Sequence, residues 1–588
     1  MKYTRYIAGF SWLLVIGIGL FMSCDISKPL ENAQRNPADD LHLIIPKINP
    51  ASPYTGSPVH KITFDDSTST ELTFEGVKGH SLFLVKVNLS PNQVSAQETG
   101  HGYPLNTSQA LTAVPQGSVL SVPLLRESGR FAAGDKTITR YDHPGAQGFM
   151  RNPPPLPSLI PSRKTQYLES SGFAALPLSA VGTTKKFWVQ DKNDKWIEIP
   201  AILQAESIHS KVWVAQANYS TTNKPGENTL TPAQAQAIAE QFDTIYQYES
   251  SLFGHEYGGG VPSTDSSYGG VDTDPAVHIL VYDIGYDYTP FQTSGIFGFF
   301  WAKDWYDQQA LDKEQSTLKT NHAELFYIDS FFANTYPKAI YSTLAHEFQH
   351  MIHFNEKYVK KQQPSQAWFD EMLSLLAEDM IAPKIGVPVT DTSHPIRNRI
   401  PTFLDNYNAA ALTEWLSGND ALISYANVYA FGAYLARNYG GAALIKAVME
   451  NSTTNIPSLS AGLTKTTPGM DFNRALSRYG EAFIYSGGHK PQETVSFDTT
   501  ISQTINDIKY TFTGFDLWTI PDAARGYAPI PEDYTGPLIW DAQYRFAMPG
   551  YSVIIQSLDA WQQVPEDRVT IKFNKPSQQT IDLYIMIR

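Results

Sequence analysis

The sequence predicts an α+β protein of several domains. Three observations carry that expectation. Alternating apolar and polar residues mark strands near both ends of the chain. Between them, short apolar runs of strand length precede long segments with a helical apolar period. Proline-rich stretches separate these blocks. At 588 residues the length allows about four domains.

The N-terminus opens on the basic run Met1-Lys2-Tyr3-Thr4-Arg5. Phe10 to Met22 follows as an apolar run, too short to favour a stable spanning helix. Phe21-Met22-Ser23-Cys24 resembles a relaxed bacterial lipobox, with Phe21 where Leu is usual. Residues 1–23 therefore read as a lipoprotein signal peptide, cleaved before Cys24 and leaving lipid on its sulfur. A conventional signal peptide with an incidental cysteine is the alternative. Cys24 is the single cysteine, so disulfides within the chain are excluded. The mature protein is expected outside the cytoplasm, lipid-anchored to a bacterial cell membrane (outer membrane or surface), or else secreted.

Residues 24–58 are polar and proline-rich and read as a tether. A β domain is expected over 59–150, on stretches such as Glu71-Leu72-Thr73-Phe74 and Leu82-Phe83-Leu84-Val85. Residues 151–184, with Pro153-Pro154-Pro155 and Pro161, read as a stiff linker. The central unit is expected at 185–490. Phe187 to Gln190 and Trp196 to Ile199 flank a short polar turn, which predicts a hairpin. Thr231-Pro232 is a cap followed by a first-turn proline, which predicts a helix start. Val277 to Tyr282 and Glu324 to Ile328 are apolar runs expected as strands. From 491 to 588 strand patterns return, and a C-terminal β-sandwich is expected.

The chemistry concentrates in His346-Glu347-Phe348-Gln349-His350. Ile340, Leu344, Phe348 and Ile352 form one apolar stripe along a helix. On that helix His346 and His350 lie one turn apart on one face, so both imidazoles can bind one zinc ion. Glu347 is rotated about 100° from His346 and can reach a water on that ion. His353, two turns on, is read as a structural histidine or one that supports a ligand. A catalytic zinc needs a third protein ligand. The next helical stretch, Gln366 to Asp379, offers Asp370, Glu371, Glu378 and Asp379.

The His-Glu-x-x-His motif, followed by Trp368-Phe369-Asp370-Glu371-Met372-Leu373-Ser374, resembles the gluzincin metallopeptidases. That resemblance favours Glu371 as third ligand. Thermolysin-like enzymes carry a supporting Asp four residues further on, but this chain has Leu375 there. The group that orients His346 is therefore open, with Glu378 and Asp379 as candidates. Within the gluzincins, Ala345 to Ile352 with the preceding Glu324 to Asp329 most resembles the hyicolysin-type peptidases. The resemblance implies a zincin (thermolysin-like) domain, a mixed sheet above and a helical lobe below, with the cleft between. An extended substrate then adds to an exposed edge strand, a role expected for Glu324 to Ile328. Ser424 to Tyr439 is expected as a helix closed by Gly440 and Gly441. It resembles the helix of aminopeptidase-type gluzincins whose tyrosine donates to the oxyanion. Tyr425 matches that position and Tyr429 competes; both as plain core aromatics is the alternative.

The sequence thus predicts a zinc peptidase with one Zn2+ per chain, held by His346, His350 and Glu371, with Glu347 as base. A protein or peptide substrate is implied, and endopeptidase action is preferred because no exopeptidase segment precedes the metal helix. An aminopeptidase, or a lipid-anchored adhesin built on the same scaffold, are the alternatives. The formal charge of −14 argues against nucleic acid as a partner. Calcium binding and oligomeric state stay open.

Overall fold

The two terminal stretches, expected as separate β domains, pair strand with strand. Leu82–Asn88 lies inside a six-stranded sheet, antiparallel to Ser552–Ser557 on one side and to Ile581–Ile587 on the other. A second sheet holds Arg568–Asn574 between Ser69–Glu75 and His101–Pro104. Leu82–Asn88 is buried along its whole length, including Lys86, whose ammonium donates to the Gly100 carbonyl at 2.7 Å. Period-two alternation tells which face of a strand is buried, but not which distant strand lies beside it. Strands from 59–105 and from 539–587 therefore share two sheets rather than forming two units, whereas Lys136–Tyr141 pairs with Ser294–Ile296 and Ile501–Ile505 with Ile508–Phe512.

The structure is a computed structural model. It describes residues 43–44, 54–65, 67–105, 130–133, 136–141, 146–147, 153–154, 180–260, 265, 267–488, 490–491, 493–520, 536–541, 547–558, 564 and 566–588. The signal peptide and Cys24, and most of the tether and linker, lie outside the described residues. No helix among the described residues is long and apolar enough to cross a membrane.

The central region has a mixed six-stranded sheet. Its strands are β1 (Thr184–Gln190), β2 (Trp196–Glu206), β3 (Ser210–Ala215), β4 (Val277–Tyr282), β5 (Gly298–Phe300) and β6 (Leu325–Asp329), in the order β5-β6-β4-β3-β2-β1. The β1–β2 hairpin is the expected one. The edge is not. The rim role expected for Glu324 to Ile328 does not hold, because β6 lies between β5 and β4. The true edge, β5, is a three-residue strand, too short to register as a pattern. Gly298 makes the pairing possible, since a Cβ there would sit 2.7 Å from the carbonyl oxygen of Tyr327.

Four helices position the site. α1 (Pro232–Phe253) starts on Thr231, whose hydroxyl accepts from the Gln234 backbone N–H while the Gln234 side chain accepts from the Thr231 N–H. This is the reciprocal cap read from Thr231-Pro232. α2 (Pro337–His353) carries the His-Glu-x-x-His motif, and α3 (Ala367–Ile381) packs along it. Ile340, Leu344, Phe348 and Ile352 are fully buried, each worth roughly 1.5–3 kcal/mol of transfer free energy. Phe348 meets Phe242 edge-on at 4.9 Å and stacks on Tyr246 at 5.2 Å, which fixes α2 against α1. α4 (Ala421–Asn438) crosses α3 at Gly432, where a Cβ would lie 2.7 Å from Met372 Cγ. Gly440, at φ 120°, ends that segment as expected.

Candidate metal centre

The apolar stripe of α2 faces α1, so the opposite face presents His346 and His350 to α3. Glu371, in the second turn of α3, meets them there. The His346 and His350 Nε2 atoms are 3.0 Å apart. Glu371 Oε2 is 3.2 Å from His346 Nε2 and 3.4 Å from His350 Nε2. A tetrahedral zinc with bonds of about 2.0–2.1 Å has ligand atoms roughly 3.3 Å apart. Glu371 Oε2 is buried and accepts no hydrogen bond, an orphan that a cation would satisfy. These three residues fit the ion.

Each imidazole must turn a lone pair, not a proton, toward that point. The hydrogen bonds on the far nitrogens determine this. His346 Nδ1 lies 2.7 Å from Glu378 Oε1, which can only accept, so Nδ1 carries the hydrogen and Nε2 the lone pair. His350 Nδ1 lies 3.0 Å from Ser374 Oγ and 3.2 Å from Asp370 Oδ1. The Ser374 hydroxyl gives its own hydrogen to Gln349 Oε1, so His350 Nδ1 is again the donor. Burial, and after it the Arg140 charge, hold His346 well below its ordinary pKa. Glu371 is held down to about 2 against its burial, chiefly by His350 and then by His346.

Glu347 stands beside the triad, only 2% exposed. Its Oε2 accepts the backbone N–H of Phe300 on edge strand β5 at 2.9 Å. Its Oε1 accepts from Arg140 Nη2 at 3.1 Å, and Arg140 Nη1 reaches Glu378 Oε1, also at 3.1 Å. Arg140 comes from Lys136–Tyr141, a strand parallel to Ser294–Ile296 with Arg140 opposite Gly295.

Of the other residues singled out in the sequence, Tyr425 brings its hydroxyl to 3.4 Å from Glu371 Oε1 and accepts the Gln147 amide at 2.9 Å. Tyr429 instead donates to Asp379 at 3.0 Å. Asp379 is gripped by Arg437 and makes no contact with His346, so Glu378 is the residue that orients it. His353 turns Nε2 to Ser365 Oγ at 2.7 Å, away from the triad. Sequence reasoning missed Arg140, Gln147 and the Phe300 N–H. None of them lies in a motif or a periodic segment.

One further cluster, Asp272, Asp274 and His278, has metal-ligand residue types in proximity. Trp213 Nε1–H donates to His278 Nδ1 at 2.9 Å. The imidazole hydrogen therefore sits on Nε2, 3.1 Å from Asp272 Oδ2. Lys211 Nζ pairs with Asp274. No nitrogen lone pair is left for an ion, and the local cation is already a lysine.

Comparison with known proteins bears on the same region. Residues 200–491 match the Peptidase M30 family. This central region belongs to the peptidase M30 family. The M30 region includes α1 to α4 and every residue of the triad. The chain is also 30% identical over 295 residues to the neutral metalloprotease ShpI of Staphylococcus hyicus, covering 47% of this chain and 57% of that protein. It thus spans a little over half the length of that relative. The resemblance to the hyicolysin-type peptidases, read from Ala345 to Ile352 with Glu324 to Asp329, is borne out by these two matches. Arg140 and Gln147 lie before it.

Proposed function

We propose that the chain is a zinc-dependent endopeptidase of the zincin type, with one zinc held by His346, His350 and Glu371. The observation that carries this reading is the convergence of three ligand atoms within 3.0–3.4 Å, with both imidazoles hydrogen-bonded so that their lone pairs face one point. When bound, zinc lowers the pKa of its water toward neutrality and polarises the scissile carbonyl.

Glu347 is the proton carrier. It takes a proton from the attacking water and delivers it to the leaving amine. Phe300 orients it through the bond to Oε2, leaving Oε1 as the working oxygen. That oxygen is the one Arg140 holds, so Arg140 must let go before Glu347 can act. Glu378 keeps His346 in its ligand tautomer. Tyr425, next to Glu371, is the donor assigned to the developing oxyanion. Strand β5, as the rim beside the triad, is the edge on which an extended peptide adds. Action within a chain rather than at its end fits the lack of an exopeptidase segment in the sequence. The basic, apolar and Cys24 succession at the N-terminus supports export and lipid anchoring.

Glu347→Gln separates chemistry from metal binding. Zinc is expected to stay while cleavage of a casein or peptide library is lost. Undiminished proteolysis by that variant would remove Glu347 from its role.

A further inference from the structure

The M30 site is closed. His346, Glu347, His350 and Glu371 are exposed by 0%, 2%, 4% and 3% respectively, too little for a polypeptide to reach them. The groups that fill the cleft come from the chain before the M30 region. Arg140, 2% exposed, bridges Glu347 and Glu378. Gln147 donates to the Tyr425 hydroxyl. Further on, the carbonyl of Pro154 accepts from Tyr306 at 3.1 Å and from Tyr358 at 2.9 Å. Arg140 also sits on a strand paired with Ser294–Ile296, which leads directly into β5. A substrate would be expected to add a strand on this same rim.

We propose that Arg140, on the strand Lys136–Tyr141, and Gln147 act as an intramolecular inhibitor, standing where a substrate would lie and restraining the base. The proposal rests on the peptidase reading of the site. Both oxygens of Glu347 are engaged, one by the Phe300 N–H and one by the Arg140 guanidinium, whose positive charge makes the carboxylate a weaker base and whose bulk takes the place beside Oε1 that a water would need. The Gln147 amide donates to the Tyr425 oxygen and occupies the space beside that hydroxyl. A guanidinium suits the task because its planar fork reaches two carboxylates at once, which an ammonium cannot do equally well. The strands on either side of the segment are paired into other sheets, which keeps the plug at high effective concentration even if the chain is cut beside it. Activation then requires the segment to be lifted out, not merely nicked.

The test uses the full chain, zinc-loaded, on a quenched peptide substrate. Arg140→Ala is expected to raise kcat/KM at least tenfold over the unaltered chain. Arg140→Lys, which keeps the charge and protects the fold if the alanine variant unfolds, is expected to fall between the two. Methylguanidinium should refill the space and return Arg140→Ala toward the unaltered rate, whereas ethylammonium should not. Two readouts are independent of turnover. Methylguanidinium should raise the melting temperature of metal-free Arg140→Ala. A zinc-directed hydroxamate should bind zinc-loaded Arg140→Ala, or Arg140→Lys, more tightly than it binds the unaltered chain. Activity and hydroxamate affinity at or below the unaltered values, in a folded variant, overturn the proposal and make Arg140 structural. Tighter hydroxamate binding with no cleavage by any variant keeps the plug and counts instead against the peptidase reading.

Discussion

Among the described residues, two groups of metal-ligand type are built from histidine and carboxylates, and they differ in what sits on the far side of each imidazole. In the M30 site, His346 and His350 donate from Nδ1 to Glu378 and to Ser374 and Asp370, so Nε2 is free to coordinate. At Asp272, Asp274 and His278, a tryptophan N–H occupies Nδ1, so Nε2 keeps its hydrogen, with Asp272 Oδ2 3.1 Å away. Proximity of ligand-type residues is therefore not enough to make a metal site. The partner of the distal nitrogen decides whether a histidine is a ligand or a donor.

That contrast can be pressed by mutation. The largest effect is expected at Glu347, where Gln substitution should cut peptidase turnover by on the order of 10²–10⁴-fold. Asp272→Asn should leave turnover where it was, as measured by initial rates on one peptide. Next comes stability in acid, where two other buried histidines resemble neither cluster's ligands. His353 and His394 are both pushed down to about 4, chiefly by burial. The unfolded chain takes up a proton on each below its ordinary value of 6.5, while the folded chain does so only near 4. Stability is thus unaffected above pH 6.5 and falls between 6.5 and 4. The loss is about 3 kcal/mol for each histidine at full protonation of the unfolded state. Urea melts across that range measure it, and a flat profile would contradict the burial argument.

Smaller effects probe the orienting groups. Glu378→Gln offers His346 Nδ1 a weaker acceptor and leaves Arg140 less well paired. Zinc affinity should fall roughly 10–100-fold, measured by competition with a chelator. Ser374→Ala should cost only a few-fold, on the order of 1 kcal/mol or less for one of two hydrogen-bond partners, because Asp370 remains on His350 Nδ1. If Ser374 matters more than Glu378, the order of the two orienting contacts is wrong.

Much of the site is legible in the sequence because its geometry is local. His346, Glu347 and His350 share one helix, and helical periodicity fixes their relative directions. Glu378 is within reach of the same logic. It lies seven residues past Glu371, two turns along one face of α3, where Leu375 has vacated the nearer supporting position. What escapes depends on distant pairing. Arg140 reaches the cleft from a strand with no motif of its own. The edge β5 is three residues long and contains a glycine, so it leaves no periodic trace. The terminal strands are recognisable one by one, as at Leu82–Asn88 and Ile581–Ile587, but nothing in alternation says that these two are neighbours.

On this reading the triad of His346, His350 and Glu371 binds zinc and the His278 cluster does not. Metal analysis of three dialysed proteins after zinc loading tests it most directly. The expected result is one zinc per chain for the unaltered protein, none for His346→Ala, and one for His278→Ala. Zinc retained at full stoichiometry by His346→Ala, or lost from His278→Ala, would contradict it.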